Sequence, residues 1–188
     1  MAAQEIIFCR GAAQSRHSAE ETCVYCFGVI IMQKHSLRTY FIWVIFTEAV
    51  GAASAWLTRG SMQVYQNEII QPTLSPPGIV FPIVWTVLFA LMGIGAARVY
   101  LAPPSAGRSR ALAVYFLQLA FNFGWSIIFF NMQRFGFALL WLAALWLLIL
   151  LMLRAFGRVD KCAARLQIPY LLWVSFAAYL NYGVWQLN

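Results

Sequence analysis

The chain is short of charge. Of its 188 residues 10% are Asp, Glu, Lys or Arg and only six are acidic, where a soluble domain carries about 25% charged residues. With 62% hydrophobic residues, that deficit excludes an ordinary soluble domain, whose surface needs more charge. Histidine is scarce too: His17 and His35 are the two present. None falls in the apolar remainder, so histidine ligation of a metal from there is excluded. The apolar segments also lack a nucleophile–base pair and a metal-ligand constellation. Conventional catalysis is therefore not expected, and neither is a resident metal. An inverted repeat or a pair of glycine-broken helices, the mark of many carriers, is missing as well.

What is present is five apolar runs. They cover 40–57 (YFIWVIFTEAVGAASAWL), 78–101, 111–130, 136–153 and 166–187. Each approaches the roughly 20 residues that a bilayer-spanning helix needs. None alternates with the period of two that a membrane β-barrel strand would show. The fold expected is an all-α membrane protein, a bundle of five transmembrane helices. A long loop over about 58–75 joins helices 1 and 2.

The net charge of +7 does not point to nucleic acid, because of where it sits. With five spans, one side of the membrane collects Lys34, Arg38, Arg98, Arg108, Arg110, Arg154, Arg158, Lys161 and Arg165. The other side has Arg59 and Arg134. Basic residues concentrate on the cytoplasmic side, so the N-terminus is expected in the cytoplasm and the C-terminus outside. The charge then serves anchoring to anionic lipid.

Residues 1–35 differ from the rest and are expected to be a poorly ordered extension of a domain covering 36–188. Glu20 and Glu21 precede the short run CVYCFGVIIM, where a signal peptide would carry positive charge. Cys23-x-x-Cys26 with His17 and His35 lacks the second paired ligand spacing of a zinc site. Met32 opens MQKHSLRTYF, a lead-in typical of a first helix, so residues 1–31 are not expected in the folded unit.

Several side chains are unsuited to lipid. On the third run Gln118, Asn122, Trp125, Ser126 and Phe129 recur at steps of three and four and share one face. Polar groups in hydrocarbon turn to a bundle interior or cavity. Ala113, Ala120 and Gly124 fall on roughly the opposite face, where small residues permit close approach of a second copy. The second run presents Phe81, Trp85, Phe89 and Met92, and the last presents Trp173, Ala177, Leu180 and Val184. Trp85, Trp125 and Trp173 lie well inside their spans, whereas Trp56 and Trp185 sit at helix ends, where interfacial tryptophans belong. Trp141 reads as packing or lipid contact. Glu48 is the lone acidic residue within a span and is expected to face inward.

The stretch LSPPGIVFPIVW places Pro76, Pro77 and Pro82 before the second run. Proline is tolerated in a helix's first turn, so Ser75 is expected as N-cap and the Pro-Pro pair as the helix start. Pro76-Pro77 with Phe81, Trp85, Leu88 and Phe89 resembles the signature of the TspO/translocator protein family, the tryptophan-rich sensory proteins or peripheral benzodiazepine receptors. Gln118-x-x-x-Asn122-x-x-Trp125-Ser126 and the ending Pro169-Tyr170-Leu171-Leu172-Trp173-Val174 through Leu180-Asn181 to Leu187-Asn188 support the resemblance over about 40–188. Where the family has Trp two residues before the Pro-Pro pair, this chain has Leu74.

The resemblance implies a pocket lined by Trp85, Phe89, Asn122, Trp125, Ser126, Trp173 and Ala177, closed by the loop before the second helix. It implies porphyrin or haem as ligand, with sterol-like and benzodiazepine-type molecules as further ones, and no required cofactor. Membrane lipid and a second copy docked through helix 3 are the implied partners. A receptor or sensor of tetrapyrroles is the leading implication; transport of porphyrins and their light-driven degradation are the alternatives.

Overall fold

A computed structural model describes residues 34–188. The expectations placed on Met1–Gln33, the Cys23/Cys26/His17 pattern and the start at Met32 included, lie outside the described residues. Among the described residues six α-helices follow in order: α1 Lys34–Glu68, α2 Val80–Leu101, α3 Ala106–Ser126, α4 Phe135–Val159, the short α5 Lys161–Arg165, and α6 Ile168–Leu187. Among the described residues there is no strand. α3 runs on as a π-helical turn, Ile127–Asn131. Beyond it Gln133 takes a left-handed φ of 51° in the tight reversal to α4.

Among the described residues four helices, α1 to α4, are long and apolar enough to cross a membrane. The chain is thus an integral membrane protein. α6 is not among the four. It is 20 residues long, but Ser175, Asn181, Gln186 and three tyrosines dilute its apolar character.

Two expectations are corrected. α1 has 35 residues, about 52 Å at 1.5 Å per residue, well beyond the ~30 Å of the hydrocarbon core. Residues 58–68, expected in a long loop, are helical; the connection to α2 is 69–79. Residues 58–68 hold no proline and are fastened from within. Thr58 is buried, Tyr65 meets Phe129 and Phe130 at 5.4 Å, and the Asn131 amide donates to the Leu57 carbonyl at 3.2 Å. Ser75 is not an N-cap either. The Pro-Pro pair sits before α2 in a turn closed by Val80 N–H donating to the Pro77 carbonyl (2.9 Å), and Ile79 occupies the cap position without a side-chain bond.

The helices close on one another where side chains permit. At Gly93 of α2 a Cβ would fall 2.6 Å from the Val44 Cα, so only glycine allows the α1 backbone this close. Thr47 joins α1 to α3 through a 2.5 Å bond with the Tyr115 hydroxyl. At the basic end Arg98 pairs with Asp160 at 2.8 Å. The same carboxylate accepts from Cys162 and Ala163 N–H and so starts α5. At the other end the Asn181 amide, oriented as hydrogen bonding demands, spans Phe135 C=O (2.9 Å) and Leu139 N–H (3.1 Å) and ties α6 to α4. α4 packs on both α3 and α6, and α2 packs on α1, but α2 and α6 barely approach at backbone level.

Candidate functional site

α3 delivers its polar face inward, as its three- and four-residue spacing demands. Gln118 and Asn122 are buried, and so are Trp125 and Phe129. Buried polar groups need partners, and α6 supplies one in Tyr170. Asn122 Nδ2 donates to the Tyr170 hydroxyl at 2.9 Å, and that hydroxyl donates to Gln118 Oε1 at 3.0 Å. Gln118 Nε2 points on to Met92 Sδ of α2 at 3.8 Å. One phenol therefore orients two amides and joins α3 to α6.

Above this chain lie aromatic rings. Trp85 meets Phe89, one turn along α2, at 5.4 Å, and meets Tyr170 edge to face at 6.2 Å. Phe89 presses against Gly51 of α1, where a Cβ could not be accommodated without moving the ring. Trp125 stacks on Phe129 at 5.1 Å, just where α3 passes into its π-helical turn. Such turns recur at functional sites.

Of the seven residues implied by the resemblance, Phe89 and Trp125 belong to the buried core, with Trp85, Trp173 and Ala177 packed against it. Asn122 is buried and Ser126 half-buried. Trp173 stands apart from the polar chain. It lines a groove of about 540 Å³ between α2 and α6, together with Val84, Val87, Leu88, Leu172 and Phe176. Its ring meets Phe81 at 5.9 Å.

Tyr170 and Gln118 are missing from the sequence-based set. Gln118 shares the face of Asn122, and Tyr170 lies three residues before Trp173, so both were within reach of helical spacing. Glu48 is half-buried on α1. Gly124 does not face outward: a Cβ there would lie 3.1 Å from the Trp141 ring of α4. The small residue serves packing within the chain, leaving Ala113 and Ala120 exposed on the outer face. Among the described residues no three His, Cys, Asp or Glu side chains gather as a metal site needs.

Comparison with known proteins agrees with this arrangement. The family model described as TspO/MBR family matches residues 39–186. A tryptophan-rich protein TspO of Chlorobaculum tepidum is 41% identical, over 74% of this chain and 89% of its own length. A tryptophan-rich sensory protein of Cereibacter sphaeroides is 36% identical, over 78% of this chain and 92% of its own. A translocator protein of Bos taurus is 32% identical, over 73% and 83% respectively. Four membrane-length helices, Trp85, Trp125 and Trp173 in or against the buried core and a match over nearly all the described residues lead to one conclusion: this chain belongs to the TspO/MBR family.

Proposed function

We propose that the protein is a membrane receptor or sensor that takes a flat, largely apolar ligand of the porphyrin class between α2, α3 and α6. The observation that carries this reading is the juxtaposition of Trp85 and Phe89 with the buried Asn122–Tyr170–Gln118 chain. Rings offer stacking surfaces to a macrocycle, and the amides offer donors and acceptors to its polar edge. Sterol-like or benzodiazepine-type molecules suit the same chemistry, an apolar plate with one polar group. A haem would be held by stacking and its propionates, since no histidine lies within 40–187. The relative named as a sensory protein supports a sensing role.

Protoporphyrin should quench the tryptophan fluorescence of the purified full chain to saturation. Trp85→Phe should weaken binding by about 1 kcal/mol, the worth of one ring contact or hydrogen bond, or roughly fivefold. Unaltered affinity in that variant would remove the pocket assignment.

We infer that α6 is the fifth span and that the Arg98–Asp160 end is cytoplasmic, since the basic residues gather there. A reporter inserted at 102–105 should read as cytoplasmic and one after Asn188 as external; the reverse would overturn this. Self-association through α3 rests on exposed Ala113, Leu117 and Ala120. Ala120→Trp should then yield a smaller species in detergent, and an unchanged dimer would place the contact elsewhere.

A further inference from the structure

We propose that the ligand enters and leaves sideways from the bilayer through the groove between α2 and α6, with the Phe81–Trp173 ring pair as its door. The proposal rests on the porphyrin-binding reading and adds the route to it.

The two helices that border the groove hardly approach at backbone level. Two aromatic rungs bridge them. Phe81 meets Trp173 at 5.9 Å, and one turn along each helix Trp85 meets Tyr170 at 6.2 Å. The outer rung is half-buried and borders the groove, while the inner rung ends on a Tyr170 that is fully buried. The groove wall is hydrocarbon, with Ile83, Val87 and Leu172 more than half exposed. α2 is a membrane-length helix, so the groove opens toward lipid rather than water.

A flat aromatic molecule can replace each ring–ring contact with a ring–ligand contact of the same kind. It would move from Trp173 at the mouth to Trp85 at the inner rung without breaking a hydrogen bond between helices. The alternative route, past the 69–79 connection, is closed differently. Asn188 grips that connection twice: its Oδ1 accepts from Ile70 N–H and its Nδ2 donates to the Ile70 carbonyl, each at 3.0 Å. Pro72 also packs on Gly183 of α6. Both bonds must break for the connection to lift; at the groove only rings must turn.

The test is stopped-flow quenching of tryptophan fluorescence by protoporphyrin, with the full chain in lipid nanodiscs. Phe81→Ala removes half of the outer rung and should raise the on- and off-rates together by roughly two- to tenfold, the worth of one aromatic pair, with little change in affinity. Val87→Trp fills the groove from its outward-facing wall and should slow both rates by a similar factor. Asn188→Ala frees the connection and should leave both rates unchanged. Acceleration by Asn188→Ala, or rates unmoved by both groove variants, would overturn the doorway. Absence of any quenching in the parent protein is a separate outcome that removes the binding reading and the route with it.

Discussion

Trp141 and Trp173 stand at two seams of this bundle that are closed by different means. Between α3 and α4, Trp141 lies over Gly124, stacks on Phe121 at 4.5 Å and donates its indole N–H to the Phe121 carbonyl at 2.8 Å. Between α2 and α6, Trp173 has a ring contact with Phe81 and an open groove beside it. The glycine opposite Trp141 lets the helices close until the indole reaches a backbone acceptor. Opposite Trp173 stand Val84, Val87 and Leu88, bulky aliphatics that hold the α2 backbone away. Trp141 thus fills its seam against a small residue, whereas Trp173 leaves a groove beside larger ones.

Breaking the closed seam should have the largest effect. Trp141→Ala removes the stack, the bond and the filling of the Gly124 notch at once, and should destabilise the protein by about 3 kcal/mol, the low end for truncating a packed aromatic. Denaturant titration in mixed micelles reads this directly. A loss below about 1 kcal/mol would mean that the seam is held elsewhere.

Next comes the polar chain that joins α3 to the inner side of the open seam. Tyr170→Phe keeps the ring but strands Asn122 Nδ2 and Gln118 Oε1 without their shared partner. It should cost about 1–3 kcal/mol, the penalty for a buried polar group left unpaired. In ligand titrations the same variant should lose affinity, because the amides are no longer oriented. Stability equal to that of the parent would show that the amides find other partners.

The smallest effect belongs to the groove tryptophan. Trp173→Phe retains an aromatic ring at the mouth and should lower equilibrium affinity for protoporphyrin by less than about 0.5 kcal/mol, below the roughly 1 kcal/mol expected of Trp85→Phe. Titrating the two variants side by side sharpens the distinction between inner rung and mouth. Equal losses would put both indoles on the bound ligand.

The inward face of α3 was legible in the sequence. Gln118, Asn122, Trp125 and Phe129 recur at helical spacing, and side chains at that spacing share a face whatever surrounds them. The proline cluster before α2 was legible as punctuation, though not as a turn: Pro76 and Pro77 suit a first helical turn as well as a turn before it. The end of α1 was not legible. Residues 58–68 are polar enough to read as a loop, and their helicity rests on Tyr65 and the Leu57 carbonyl meeting the π-helical turn. Those partners lie about seventy residues further along the chain. Gly124 misled for the same reason, since a small residue looks alike whether it faces a second copy or Trp141.

The sequence by itself determined that this is a membrane protein of packed helices and which face of α3 is polar. Scarce charge, runs of about twenty apolar residues and a period near 3.6 are local properties that solvation acts on directly. Only the tertiary structure decided that Tyr170 serves both Asn122 and Gln118, partners 48 and 52 positions away, and that α2 and α6 stand apart while α3 and α4 close. Those outcomes depend on which side chain meets which across a seam. Helical periodicity fixes the direction a residue faces, but the volume of what stands opposite sets how near the helices come.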